Sequence, residues 1–346
     1  MTNEYDRFNS WKVLVYADRI CRILKGEFPP PVVMHIYPSN KCNLNCEWCI
    51  MAEEKAKYPV MLKKETLFKA FKDASENDIK LIHLSGGGEP LLHPNIYEVL
   101  EYNKNLEKRV KVAISTGGVL LKPELANYVD HIRVSLDAGS EEIHQKVKNT
   151  NKKLFNKICK NIEDLVNYRN KNNLQCDIGL GFVISPDNWT DIYNFCKVGN
   201  DLKVDFLHIR PAYYPKTNPK NELLKMITPS VLALVEKAKN DFKNIQIFSI
   251  TEKFDGYWTP RIYDKCRATP LQAVLTATGE FVVCQDVFIR FGDYNKQSFW
   301  EIWDSKEHKL AIEKIDLEKC PRCVENKHNE IIQEMFIKNK ARLELI

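Results

Sequence analysis

Eight residues, Cys42-Asn43-Leu44-Asn45-Cys46-Glu47-Trp48-Cys49, hold three thiols at C-x3-C-x2-C spacing. Thiolates are soft ligands that favour iron–sulfur clusters, zinc or Cu(I). Structural zinc sites want four ligands, usually in paired CxxC knuckles, and the local count stops at three. A [4Fe–4S] cubane held by three thiolates leaves one iron without a protein ligand, where a small molecule can bind. The competing readings are three buried structural cysteines or half of a zinc site.

A second cysteine set lies towards the C-terminus. Cys266 and Cys284 flank Ala277-Thr278-Gly279-Glu280, a turn joining two apolar runs at 271–276 and 281–283. That is a hairpin signal, and it brings the two thiols into one neighbourhood. Cys320-Pro321-Arg322-Cys323 is a C-x2-C knuckle, and Phe299, Ile302, Trp303 and Leu310 between the two parts read as an amphipathic helix. Four thiols can close a tetrahedral zinc site or saturate a [4Fe–4S] cluster, and the residues alone leave both open. Cys21, Cys159, Cys176 and Cys196 read as core residues, the default for a free cysteine.

The elements that must position these thiols alternate. Apolar strand-like runs lie at 32–37, 79–84, 110–115, 131–136, 177–184 and 205–210, with helical patterns near 63–77, 95–107, 122–129, 152–171 and 188–199. This order predicts parallel strands with helical crossovers. Six units fall short of the eight of a full barrel, so a partial (β/α)6 barrel is expected. An N-terminal helix over 8–26 precedes it, stopped by Pro29-Pro30-Pro31. A helix over 228–242, capped by Thr228 with Pro229 in its first turn, and a strand at 245–250 follow. The stretch 253–267 reads as a linker.

Parallel β/α folds place ligands at the carboxyl ends of their strands. There lie the triple-cysteine loop, then Ser85-Gly86-Gly87-Gly88-Glu89-Pro90, Ser115-Thr116-Gly117-Gly118 and Ser135-Leu136-Asp137-Ala138. A glycine run lets backbone approach a ligand closely, and small polar groups suit a ribose or a carboxylate. It lacks dinucleotide-fingerprint and P-loop spacing. Arg210 ends the sixth strand at the expected barrel mouth, and Trp48, Tyr213, Tyr214 and Trp258 are candidate wall residues.

With 346 residues, 44% hydrophobic and 28% charged, the composition is that of a globular chain with length for one large and one smaller domain. The net charge of +5 is spread over many lysines and does not indicate a nucleic-acid partner. No apolar stretch approaches the roughly 20 residues of a membrane span, and the polar N-terminus is unlike a signal peptide. Eleven cysteines in such a chain point to metal or redox chemistry in a reducing compartment, so a cytoplasmic location is expected.

The cysteine loop after a first strand, with Trp48 before the third thiol, resembles the radical S-adenosylmethionine (SAM) superfamily. The resemblance covers residues 32 to 325 or so. It implies that Cys42, Cys46 and Cys49 hold a [4Fe–4S] cluster whose open iron chelates SAM. Reductive cleavage would then give a 5′-deoxyadenosyl radical that abstracts a substrate hydrogen. By the same match Gly87, Gly88 and Glu89 belong at the SAM site, and Ser115, Ser135 and Asp137 meet its carboxylate and ribose. The pattern C-x12-G-x4-C, then Trp300-Glu301-Ile302-Trp303, then C-x2-C, resembles a twitch domain, the shortened SPASM domain. It implies one further [4Fe–4S] cluster on Cys266, Cys284, Cys320 and Cys323, unlike the three-cysteine auxiliary site of the GTP cyclase family. Four ligands make that cluster coordinatively full, an electron relay or a prop.

The chain so read divides into an N-terminal helical extension (1–31), a radical SAM core (32–250), a hairpin-plus-helix auxiliary domain (251–330) and a C-terminal helix (331–346). The layout is similar to that of the aminocyclitol dehydrogenase of butirosin biosynthesis. An oxidation, epimerisation or rearrangement of a small sugar- or cyclitol-like substrate is therefore expected, with Arg210 as the candidate catalytic residue. An electron donor such as flavodoxin or ferredoxin is implied. If the reaction is an epimerisation, one of Cys159, Cys176 and Cys196 is the candidate hydrogen-atom donor. The alternatives are a peptide-modifying enzyme of the same superfamily and a non-catalytic metal-binding scaffold. About thirty residues before the first strand are few for a peptide-binding wing, and no second domain has room for cobalamin.

Overall fold

The computed structural model describes residues 8–212, 214, 218–249, 261–320, 323 and 325–338. Strands β1 (Val33–Ile36), β2 (Leu81–Leu84), β3 (Lys111–Thr116), β4 (His131–Ser135), β5 (Asp177–Ile184), β6 (Phe206–Pro211) and β7 (Gln246–Ser249) pair in parallel, in chain order. Their crossovers carry α3 (Lys64–Glu76), α4 (Ile96–Lys104), α6 (Phe155–Lys171), α7 (Ile192–Asp201) and α8 (Lys220–Asp241). Met34, Ile36, Ile82, Leu84, Val112, Ile114, Ile132, Val134, Ile178 and Leu180 are buried, so the strands alternate one apolar outer face against the helices. The other face points inward and is partly polar.

Three expectations change. The helix expected at 228–242 begins at Lys220, so Thr228 and Pro229 lie inside it. The Thr228 hydroxyl donates to the Leu224 carbonyl at 2.8 Å, and Pro229 offers no N–H to the turn before it. The single helix expected through Phe299 and Leu310 is two, Phe299–Trp303 (α9) and Lys306–Glu313 (α10), split because Ser298 and Ser305 each cap a new N-terminus. Leu310 is exposed as a result, while Phe299, Ile302 and Trp303 are buried. The C-terminal helix begins earlier than 331, as Glu325–Ile332 (α11), and continues as a π-wound turn over Gln333–Lys338. The expected linker falls largely outside the described residues.

The hairpin forms as β8 (Gln272–Leu275) and β9 (Glu280–Val282), with a third antiparallel strand β10 (Arg290–Asp293). Gly279 makes the turn at φ +85°, with Asn295 occupying the space a side chain would take. Strand β8 also pairs in parallel with β1, Val33 opposite Gln272 and Ile36 opposite Leu275. One ten-stranded sheet, β10-β9-β8-β1-β2-β3-β4-β5-β6-β7, therefore carries both cysteine sets. The seam is tied further by Trp303 Nε1 donating to the Pro29 carbonyl at 2.9 Å and Thr66 Oγ1 donating to Asn295 Oδ1 at 2.7 Å.

Candidate active site

The cysteine loop leaves β1 and is clamped from two sides. On one, Gly88 N donates to the Ser39 carbonyl at 2.6 Å and Glu89 N to the Lys41 carbonyl at 2.9 Å. A Cβ on Gly88 would lie 2.0 Å from the Lys41 carbonyl oxygen, and Gly87 sits at φ +45° against Asn40. The glycine run thus lets the backbone leading into Cys42 lie against the β2 loop. On the other side, Asn45 N donates to the Lys148 carbonyl and Glu47 N to the Val147 carbonyl, both at 3.1 Å. Those carbonyls end α5 (Glu141–Val147), a helix that the sequence analysis missed. Cys46 lies between the two bonds.

A cavity of about 300 Å³ opens above these loops. Cys42, Cys46 and Cys49 line it, and so do Cys266, Cys284, Cys320 and Cys323. Gly87, Gly88, Glu89, Ser115, Ser135, Asp137 and Arg210 line it too, so every candidate site residue faces one space. Among the described residues no three His, Cys, Asp or Glu side chains converge tightly enough to bind a single metal ion. A [4Fe–4S] cluster takes its cysteine ligands at separate corners, and each of the two thiol sets lines this one cavity. Burial pushes the Cys42 and Cys46 thiols up. The Leu44 backbone and Lys55 oppose it at Cys42, and Lys148 opposes it at Cys46. At the second set, burial pushes Cys266 up to about 11 and Cys323 well up. Asn329 Nδ2 donates to Cys266 Sγ at 3.3 Å and Val287 N to Cys284 Sγ at 3.2 Å, bonds that favour the thiolates.

The remaining residues differ in how much of their bonding capacity is spent. Glu89 is buried and accepts from Gly117 N (2.7 Å), Thr116 Oγ1 (2.8 Å) and Leu91 N (3.0 Å), joining the loops after β2 and β3. Burial raises its pKa against those three bonds. Asp137 accepts from Val183 N at 2.6 Å and pairs with Lys148, both side chains being almost fully buried. Arg210 lines the cavity, and among the described residues its guanidinium has no hydrogen-bonded or ion-paired partner. Ser115 Oγ lies 2.9 Å from His83 Nε2 and accepts from Arg133 at 3.1 Å.

That contact opens a polar chain across the inner face of the sheet. His83 Nδ1 lies 3.2 Å from His35 Nδ1, His35 meets Gln285 at 3.0 Å, and Arg133 meets His208 at 3.2 Å. Burial lowers His35 to about 4 and His83 well below its ordinary value, so both imidazoles are neutral near pH 7. Burial, with Arg210 nearby, lowers Arg133 to about 10. The sequence analysis missed Lys148, His35, His83, Arg133 and Asn329. The inward-facing positions of β1, β2 and β4 were the available signal.

Trp48 lines the cavity, and Tyr214 is turned to Glu47, its hydroxyl donating at 3.0 Å. Tyr213 and Trp258 lie outside the described residues. Cys21, expected in the core, is exposed, because it falls on the outer side of α1 (Ala17–Leu24) while Ile20 faces in. Cys176 and Cys196 are buried and Cys159 is partly so, and none of the three lines the cavity.

Two stretches of the chain match models of known families. Residues 36–196 match the model of the radical SAM superfamily, and residues 266–324 match SPASM, an iron–sulfur cluster-binding domain. The chain carries a radical SAM domain and a SPASM/twitch domain. Its cofactors are two [4Fe–4S] clusters and SAM, and the two thiol sets facing one cavity suit them. A probable GTP 3′,8-cyclase of Saccharolobus islandicus is 29% identical over 186 residues, 51% of this chain and 55% of that one. The chain thus spans about half the length of that relative. The GTP 3′,8-cyclase of Aliarcobacter butzleri is 23% identical over 72% of this chain and 79% of its own.

Among solved structures, Streptococcus suis SuiB bound to precursor peptide SuiA superposes with a TM-score of 0.65 at 14% identity. The match covers 90% of this chain and 74% of SuiB. Native anSMEcpe with bound AdoMet gives 0.61 at 16% identity, over 83% of this chain and 86% of that one. These likenesses establish the fold. BtrN in complex with AdoMet and 2-DOIA reaches a TM-score of only 0.38, too low to argue a shared substrate. No described helix is long and apolar enough to cross a membrane.

Proposed function

We propose that this chain is a radical SAM oxidoreductase that dehydrogenates a small, polar, hydroxyl-bearing substrate of the sugar or cyclitol class. The observation that carries this reading is the single cavity lined by all seven cluster cysteines. The bound cofactors supply a 5′-deoxyadenosyl radical to remove a carbon-bound hydrogen atom and an acceptor for the second electron. The chain must then hold the substrate and take the hydroxyl proton.

Arg210 is suited to the first task, as a cavity-facing guanidinium whose five donors match hydroxyl or anionic groups. For the second, Ser115 lines the cavity with its hydroxyl 2.9 Å from His83 Nε2 and His35 behind it, a hydrogen-bonded path along which the hydroxyl proton can leave. Gly87, Gly88, Glu89, Ser135 and Asp137 shape the SAM end, Glu89 and Asp137 as braces that hold the loops. An external one-electron donor of the flavodoxin or ferredoxin kind starts the cycle. The relatives named GTP 3′,8-cyclase support a polar, ribose-bearing type of substrate.

A second reading, modification of a peptide, is favoured by the superposition of 90% of this chain on SuiB bound to a precursor peptide. The test is anaerobic turnover with SAM and dithionite against panels of cyclitols, nucleotides and cysteine-containing peptides. Loss of two hydrogens from a cyclitol or sugar is expected. A product of unchanged oxidation level, or turnover with peptides alone, would rule out the dehydrogenase reading.

A further inference from the structure

Lys148 follows α5 directly and is 1% exposed, an uncommon place for an ammonium. It meets three groups. Asp137 is its ion-pair partner, fixed by the Val183 amide at 2.6 Å and held at φ +60°. The Trp48 ring lies 5.9 Å away. Cys46 lies near enough for its thiol and the ammonium to interact electrostatically. The backbone enforces this last contact, because Lys148 and Val147 carbonyls hold the amides on both sides of Cys46.

We infer that Lys148 is a positioning residue for the core cluster, its ion-paired, buried ammonium set beside Cys46 by the backbone bonds to Asn45 and Glu47 and raising the cluster's reduction potential. Hydrogen bonds to ligand sulfurs and net charge set such potentials. One electron from the external donor adds one negative charge to the cluster, and a cation at the sulfur stabilises that state. Asp137 moderates the effect as the ammonium's ion-pair partner. The three thiols of the loop are therefore inequivalent, Cys46 lying beside the charged side chain. The inference rests on reading Cys46 as a cluster ligand.

The test is a redox titration of the full anaerobically loaded chain, following by electron paramagnetic resonance the cluster signal that responds to added SAM. Iron and sulfide are counted in each variant. Lys148→Met is expected to lower the potential by at least a tenfold change in the reduction equilibrium, 59 mV for one electron. Lys148→Arg should restore it towards the wild-type value. Asp137→Asn, which leaves the cation unopposed, should shift it the other way and keeps the inference testable if Lys148→Met loads poorly. Unchanged potentials in loaded variants, or shifts of the same sign for both, would overturn the inference. Retention of the SAM-responsive signal in Cys46→Ala would overturn the ligand reading instead.

Discussion

Glu89 shows how a residue can shape a cavity without a free atom to offer it. Both carboxylate oxygens are engaged by the loops after β2 and β3. Glu89→Gln turns one acceptor into a donor facing other donors, so a loss of about 1–3 kcal/mol in unfolding free energy is expected. Chemical denaturation measures it, and an unchanged midpoint would contradict the brace. His308 offers a pH test. It is buried between the Phe28 and Phe291 rings with Nδ1 at 2.7 Å from the Trp303 carbonyl, and burial lowers it to about 4. A lowered histidine stabilises the fold fully above pH 6.5 and loses that contribution as pH falls towards 4. The loss is about 3 kcal/mol from this group. Urea unfolding of His308→Gln between pH 7 and pH 4 should show a shallower decline than wild type. At this scale the cysteines were legible because their spacing is local. Lys148 and the His35–His83 pair were not, since contacts across 11 or more residues make them what they are.

At the scale of elements, alternating apolar runs announced the parallel strands, and β5 fell on the expected residues 177–184. Short elements escaped. Helix α5 has seven residues and β10 four, too few for a periodic signal. The start of α8 was misread because Thr-Pro is also the usual mark of a helix N-terminus. Here the helix tolerates Pro229 in its third turn. Pro229→Ala restores an N–H to that turn and should raise stability by about 1–3 kcal/mol. A lower melting temperature for the variant would show that the ring itself is needed for packing.

For the whole molecule, the decisive feature is the pairing of β8 with β1, which no local pattern encodes. It makes the SPASM segment part of the barrel's own sheet. Removing residues 266–346 would strip β1 of one of its two partners and expose an edge beside the cysteine loop. Such a truncation is expected to aggregate or to lose the core cluster, as solubility and iron content would report. A soluble, iron-loaded truncation would show that the pairing is dispensable. The intact sheet places two thiol sets on one cavity, and the central claim is that this cavity performs SAM cleavage. The most direct measurement is 5′-deoxyadenosine formation by the reconstituted, dithionite-reduced chain with SAM. The account predicts formation by protein carrying about eight irons per chain at full loading, abolished when Cys42, Cys46 and Cys49 are replaced by alanine. No 5′-deoxyadenosine from fully loaded protein, or equal amounts from the triple variant, would contradict it.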